Sequence, residues 1–268
     1  VHLNIYEGKK YYLRNVSWVG NTVYNSDLLD RILQMKRGDV YDQTLMNKRL
    51  TSDDDAIGNL YYNNGYVFYR LNPVEVNVVG DSIDLEMRIQ EGRQATFNHV
   101  RISGNDRVYE NVIRRELRTK PGDLFSMDNI KRSIQDLAQM NQFDPEALQN
   151  DFGQNGIKPD PVSGTVDLNY PLTSKGGDQI ELSAGWGQTG IVGRVGLKFT
   201  NFSVQNLFRK GYKRAGFIPQ GDGQTLSLQV QTNGTYYQNY ALSFLEPWLG
   251  GKRPNQLSFS ISYSKQSD

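Results

Sequence analysis

The sequence predicts an α+β chain of tandem β-α-α-β-β repeats followed by the N-terminal strands of an antiparallel transmembrane β-barrel, present as a fragment. Three observations predict it. Two stretches recur at a fixed offset of 84 residues, apolar residues keep a helical period between them, and after Pro171 the period drops to two.

Composition narrows the classes. The 30 Lys and Arg residues balance 29 Asp and Glu, which argues against a general nucleic-acid binder, whose surface carries a basic excess. The hydrophobic share of 37% is low for one well-buried core and too high for disorder. With 16 Tyr and 26 Gly but few Leu-rich runs, the chain favours β-structure that faces something other than plain water. The absence of cysteine removes disulfides and thiolate metal sites. No run of roughly 18 apolar residues exists, so no transmembrane helix is expected, whereas barrel strands alternate and escape such a scan. The opening Val1–Ile5 reads as the tail of a strand, not as a signal peptide.

The repeats set the boundaries. Val16-Ser17-Trp18-Val19-Gly20-Asn21 matches Val100-Arg101-Ile102-Ser103-Gly104-Asn105, and Lys36-Arg37-Gly38-Asp39-Val40-Tyr41 matches Lys120-Pro121-Gly122-Asp123-Leu124-Phe125. Glu7-Gly8 matches Glu91-Gly92 in the same way. Residues 1–8 are therefore the expected end of a preceding copy, 9–92 one repeat, 93–173 the last repeat, and 174–268 the start of a barrel.

In the first repeat, Tyr12 to Trp18 reads as a strand closed by a Gly-Asn turn. Asn25 or Ser26 caps a helix with Leu28, Leu29, Ile32 and Leu33 on one face, and Gly38-Asp39 ends it. A second helix is predicted from about Asp42 to Asn63, with Leu45, Leu50, Ile57 and Leu60 inward and Asn64-Gly65 as its stop. Strands from Tyr66 to Val78 and Ile83 to Gln90 follow, joined by Gly80-Asp81. The second repeat predicts helices near 109–118 and 126–140 and strands near 147–157 and 165–171. This tandem pattern, with Gly-Asn after the first strand and Lys-x-Gly-Asp between the helices, resembles POTRA domains.

The last hundred residues alternate. Ile180, Leu182, Ala184 and Trp186 are interleaved with Gln179, Glu181, Ser183 and Gly185; Leu257, Phe259, Ile261 and Tyr263 with Ser258, Ser260, Ser262 and Ser264. The same holds for Val195–Phe199, Leu226–Val230 and Tyr240–Phe244, five strands in all. A soluble sheet with one buried face and a barrel in lipid both give this pattern. The polar face, mostly Ser, Gln, Thr and Gly, favours the barrel, as do Trp186, Tyr240, Trp248 and Tyr263 placed as an interfacial girdle. Five strands cannot close, since a bacterial barrel needs at least about 8, so the natural chain is expected to continue past Asp268.

Asn201-Phe202-Ser203-Val204-Gln205-Asn206-Leu207-Phe208 and Phe244-Leu245-Glu246-Pro247-Trp248-Leu249 resemble the early barrel of BamA-type outer-membrane assembly factors, and with Gly221-Asp222-Gly223-Gln224 resemble those of Bacteroidetes-type bacteria. The resemblance implies an outer-membrane protein with periplasmic repeats and no enzymatic activity or cofactor. It implies binding and insertion of unfolded β-barrel clients, with accessory lipoproteins or other assembly subunits and outer-membrane lipid as partners. It also implies two backbone sites. One is the POTRA edge strands, placed at Val67, Phe68, Tyr69, Arg70 and Leu71 and at Leu148, Gln149, Asn150, Asp151 and Phe152. The other is a lateral gate at the first barrel strand, Gln179, Ile180, Glu181, Leu182, Ser183, Ala184 and Gly185, where glycines weaken the strand. A TamA-like or two-partner-secretion translocator and a soluble periplasmic peptide-binding module are the alternatives.

Other motifs read more plainly. Gly185-Trp186-Gly187-Gln188-Thr189-Gly190 fits a dinucleotide fingerprint, but a strand, not a helix, is predicted after it. Asp53-Asp54-Asp55 falls in a predicted helix, where adjacent carboxylates diverge, so it reads as a solvated face rather than a metal site. His2 and His99 are too few for a transition-metal site without cysteine. Arg209, Lys210, Lys213 and Arg214 form a basic loop suited to solvent, to anionic headgroups or to partner carboxylates.

Overall fold

The computed structural model describes residues 8–187, 190–210, 218–234 and 236–267. The chain packs as two units, residues 1–99 with 120–129 and 158–168, and residues 100–119 with 130–157 and 169–268. Among the described residues no helix is long and apolar enough to cross a membrane.

The first repeat contains β1 (Tyr12–Val19), α1 (Ser26–Leu33), α2 (Gln43–Asn47), a π-helical turn (Lys48–Ser52), α3 (Ile57–Tyr62), β2 (Arg70–Val79) and β3 (Ser82–Gln90). The sheet order is β1-β3-β2, with β3 parallel to β1 and antiparallel to β2. Central β3 alternates, burying Ile83, Leu85, Met87 and Ile89 in one cluster with Leu13, Leu29, Leu33, Ile57 and Tyr61. Asn25 caps α1 by accepting from Leu28 N at 3.0 Å, and Leu29 and Leu33, one turn apart, face the core.

The predicted second helix is broken. After Asn47 the backbone widens into the π turn, and Asp53 through Ala56 leaves the helix. Arg49 holds the break: its Nη1 reaches Asp53 at 3.2 Å and Asp55 at 2.8 Å, while Nε donates to Ile32 O at 2.8 Å. The acidic triplet therefore organises a turn rather than lining a helix, and Leu45 is exposed rather than inward. Strand β2 begins at Arg70, not Tyr66. Tyr66 and Tyr69 pack on Tyr61 with ring centroids 5.8 and 4.2 Å away, which folds Val67, Phe68 and Tyr69 into a turn.

The repeated landmarks explain themselves in the structure. Gly38 N donates to Leu13 O, Leu13 N to Asp39 O and Tyr41 N to Tyr11 O at 2.7–2.8 Å. Gly122 N to Phe97 O, Phe97 N to Asp123 O and Phe125 N to Ala95 O repeat this at 2.7–2.9 Å. The Gly-Asp stretch thus clips onto the first strand of each repeat. Gly20 and Gly104 have φ of 89° and 79°, and a Cβ at either would strike the carbonyl of Ile89 or Leu172.

The second repeat contains β4 (Thr96–Ser103), α4 (Glu110–Arg114), α5 (Met127–Gln139), α6 (Pro145–Asn155), β5 (Ile157–Asp160) and β6 (Thr165–Pro171), with sheet order β4-β6-β5. Here the sequence reading is corrected: Leu148, Gln149, Asn150, Asp151 and Phe152 lie in a helix, not an edge strand. Asp144 caps it by accepting from Glu146 N at 2.9 Å and Ala147 N at 3.3 Å, Pro145 takes the first turn, and Leu148 and Phe152 are buried one turn apart. The edge strands are β4 and the short β5.

The remaining strands are β7 (Gln179–Gly187), β8 (Gly190–Phe202), β9 (Gln224–Asn233), β10 (Tyr237–Glu246) and β11 (Leu257–Gln266), with the short helix α7 (Val204–Phe208) after β8. They form an antiparallel meander, β11-β10-β9-β8-β7. Lengths of 9, 13, 10, 10 and 10 residues meet the roughly 9–11 that a tilted strand needs to cross a bilayer. Gly190 opens a strand, so the glycine motif lacks the helix a pyrophosphate needs.

Register aligns the apolar residues into rows. Ile180, Leu197, Leu228, Leu242 and Ile261 are successive partners across all five strands, and so are Leu182, Val195, Val230, Tyr240 and Tyr263. These rows are uncovered: Ile180 is 74% exposed and Tyr263 62%. A soluble sheet buries its apolar face, whereas this one presents it outward.

Candidate functional site

Two strand edges have only one neighbour each where the sequence reading places function. β7 pairs with β8 alone among the described residues, leaving the other edge of Gln179–Gly187 free. On its two faces it carries Ile180, Leu182, Ala184 and Trp186, and Gln179, Glu181, Ser183 and Gly185. Glu181 lies 4.0 Å from Arg194 of β8. In the first repeat β2 pairs with β3 alone among the described residues, so Arg70 and Leu71 lie on an edge strand there while Val67, Phe68 and Tyr69 precede it.

Sequence reasoning missed a third feature. The stretches around Asn201, Gly221 and Glu246 converge at one end of the meander and hold the last repeat there. Asn201, Ser203, Asn206 and Gln224 are polar yet buried, so each must be hydrogen-bonded. Asn201 Nδ2 donates to Arg107 O at 2.8 Å, and its Oδ1 accepts from Gly221 N and Gly223 N. Asn206 and the Tyr109 hydroxyl bond each other at 2.8 and 3.1 Å, and Tyr109 N donates to Gly221 O at 3.0 Å. A Cβ at Gly221, whose φ is 137°, would strike the Tyr109 ring. Ser203 caps α7, and its hydroxyl donates to Asp222 at 2.6 Å.

The Glu-Pro-Trp stretch completes the junction. Glu246 accepts from Gln224 Nε2 at 2.7 Å and from Trp248 N at 2.9 Å. The Arg115 guanidinium sits 5.3 Å from the Trp248 ring centroid. Trp248, just beyond the end of β10, therefore packs on the last repeat. A cavity of about 370 Å³ beside it is lined by Arg115, Glu116, Asp136, Lys198 and Thr200. Burial holds the Glu116 carboxyl above its usual range against the opposing Trp248 hydrogen bond and Arg115, and burial lowers Arg115.

Other singled-out residues stay apart. His99 lies on β4 beside Asp167 at 3.1 Å, and His2 is outside the described residues, as are Lys213 and Arg214 of the basic loop. Among the described residues no group of three or more His, Asp or Glu is placed to hold a metal ion.

The family model for POTRA, described as a surface antigen variable number repeat, matches residues 11–92 and 95–174. The chain belongs to the POTRA family. Its POTRA repeats and strands are similar to the outer membrane protein assembly factor BamA of Neisseria meningitidis serogroup B, 28% identical over 254 residues, covering 92% of this chain and 28% of that protein. A putative outer membrane protein assembly factor of Treponema pallidum is 22% identical over 249 residues, covering 92% of this chain and 27% of that protein. The chain thus spans about a quarter of the length of the curated relatives it matches. The crystal structure of BamA from Haemophilus ducreyi lacking POTRA domains 1–3 superposes with a TM-score of 0.71 at 18% identity, over 96% of this chain and 43% of that one. That likeness shows the fold: POTRA repeats followed by antiparallel strands of a BamA-type barrel.

Proposed function

We propose that this POTRA chain belongs to the central component of an outer-membrane protein assembly machinery, with its repeats in the periplasm and its meander in the outer membrane. The observation that carries the reading is the uncovered apolar face of the five-strand meander, of which β7 is the first strand. Lipid is the medium that such a face fits, and backbone groups along the outer edge of its first strand need partners there. A client strand that pairs with β7 supplies them, so Gln179 to Gly185 serve as the insertion site. The edge strands of the repeats, β2 from Arg70 and β5, bind extended clients before insertion through main-chain hydrogen bonds, which suits many unrelated sequences. Accessory lipoproteins or other assembly subunits dock on the repeats. No step requires a catalytic side chain.

The test is in-cell photocrosslinking from a probe amino acid at Gln179, Glu181 or Ser183 of the full-length protein. Adducts with nascent outer-membrane proteins are expected. Adducts with one secreted partner only would replace insertion by translocation. No adduct, with the protein fractionating as soluble, would overturn the membrane assignment.

A further inference from the structure

The network that joins the last repeat to the meander also fixes what α7 shows outward. Ser203 caps α7 by accepting from Asn206 N at 3.1 Å, and buried Asn206 donates to the Tyr109 hydroxyl and to Gln220 O, each at 2.8 Å. One side of the short helix is therefore tied down by polar bonds. Its last two residues are apolar and left outside: Leu207 is 47% exposed and Phe208 79%. Moving one such side chain out of water shifts an equilibrium by about tenfold or more, so this surface favours an apolar medium.

Position, continuity and charge identify that medium. Only Ser203 separates α7 from the end of β8, a strand long enough to cross a bilayer. The Phe202 ring at that end meets the Phe244 ring at 6.4 Å, and Phe244 pairs with Leu226 and Phe259 in a further apolar row. The apolar surface of the meander thus runs to the strand end from which α7 springs. Arg209 and Lys210 follow at once, both exposed. With Lys213 and Arg214 they are the only charged residues in the sequence from Phe199 to Gly221, so no acid offsets them. Apolar residues next to cations, at a strand end, match the boundary where acyl chains give way to phosphates.

We propose that Leu207, Phe208, Arg209 and Lys210 form a lipid anchor in the leaflet on the repeats' side of the membrane: Leu207 and Phe208 enter the edge of the acyl chains, while Arg209 and Lys210 bind the phosphates of anionic phospholipid. The inference rests on the membrane reading of the meander and adds a lipid contact outside its strands. Through Asn206 and Tyr109 the same anchor ties the last repeat to the membrane surface.

The experiment uses the full-length protein, on a cysteine-free background, in vesicles of phosphatidylcholine mixed with phosphatidylglycerol. Phe208→Cys carries an environment-sensitive fluorophore. Val162→Cys, at a position 87% exposed, is the water control, and Leu242→Cys in the apolar rows is the membrane control. At Phe208 a nitroxide on the lipid headgroup is expected to quench the label, and aqueous iodide, which quenches at Val162, is expected to lose its effect. Arg209→Gln with Lys210→Gln is expected to lower the ratio of membrane-seated to water-exposed label about fivefold for each charge removed. Vesicles of phosphatidylcholine alone are expected to lower it in the parent. Iodide quenching at Phe208 but not at Leu242 would overturn the anchor and leave the meander in the membrane. Protection at Phe208 from both iodide and the headgroup nitroxide would mean that protein covers the residue, and would overturn the anchor too. A ratio unmoved by neutralising the two cations would overturn the phospholipid contact. If iodide reaches Leu242 as well, the membrane reading fails and the inference fails with it.

Discussion

The Tyr61 hydroxyl donates a 2.8 Å hydrogen bond to the Glu91 carboxylate inside the first repeat, joining the end of α3 to the residue just after β3. The same carboxylate accepts from Thr22 N at 2.9 Å, Val23 N at 3.0 Å and the Thr22 hydroxyl, so one buried acid ties the loop before α1 to the repeat's last strand. Burial pushes the Glu91 carboxyl up, but the bonds from Thr22, Val23 and Tyr61 outweigh it and hold its pKa below the ordinary value. Burial and Glu91 together raise the Tyr61 phenol, which therefore remains a donor.

A depressed carboxyl pKa contributes stability that is fully present above the unfolded value, about 4.3, and is lost as pH falls through the folded value. Glu91→Gln replaces an acceptor oxygen with an amide that points N–H groups at N–H groups. It is expected to cost about 1–3 kcal/mol and to flatten the acid limb of the first repeat's unfolding curve. Denaturant titrations of the variant and the parent at pH 7 and pH 4 measure both effects.

Glu116 is expected to behave in the opposite sense. Its folded pKa is raised by burial, so the charged form is disfavoured in the folded state and stability falls as pH rises between the ordinary value and the folded one. Glu116→Gln removes that slope and is expected to leave stability at pH 7 equal or higher. Thermal unfolding across pH 4–8 checks the sign. A marked loss at pH 7 would show that the Arg115 and Trp248 contacts outweigh desolvation.

Tyr109 and Asn206 form a reciprocal pair across the junction. Asn206→Ala removes both bonds to the Tyr109 hydroxyl and the 2.8 Å bond that Asn206 donates to the Gln220 carbonyl. A cycle with Tyr109→Phe is expected to give a coupling of about 0.5–3 kcal/mol. Protection of the last repeat from protease, compared among the four chains, reads that coupling.

The apolar rows predict an asymmetry between faces. Leu242→Arg, in the middle of β10, is expected to cost about 2–4 kcal/mol of folding in lipid, while Gln229→Arg on the polar face of β9 is tolerated. Folding yields into vesicles, separated by heat-resistant mobility on gels, compare the two.

The free edge of β7 predicts a pair of unequal prolines. Successive residues on a strand turn their N–H groups to opposite sides, so of Leu182→Pro and Ser183→Pro one removes a donor to β8 and the other a donor to the free edge. If client strands pair at β7, the edge-facing proline lowers outer-membrane protein levels and growth while its own barrel still folds. Normal levels in that variant would remove β7 from the insertion step.

Period and offset were enough to read two tandem repeats and five alternating strands, because each is a local pattern repeated many times. Reading failed where one tertiary contact overrode a pattern. The π turn and helix break depend on Arg49 finding two carboxylates, and the turn at Val67–Tyr69 on Tyr66 and Tyr69 packing against Tyr61. α6 carries only two buried apolar residues, Leu148 and Phe152, too few for its period to stand out, although Asp144-Pro145 is a legible helix start. The junction was invisible as geometry. Tyr109 and Asn206 are 97 residues apart, and only the shared polarity of Asn201, Asn206 and Gln224 beside apolar strands hinted at a buried network.

In the meander every strand bonds only to its neighbours in sequence. Each ladder therefore closes a short loop, so the contacts are local and their entropic cost is small. Such a sheet grows one strand at a time in chain order. While it grows, the newest strand always offers a fresh edge. The chain thus displays in its own architecture the stepwise strand addition that it is proposed to perform on others.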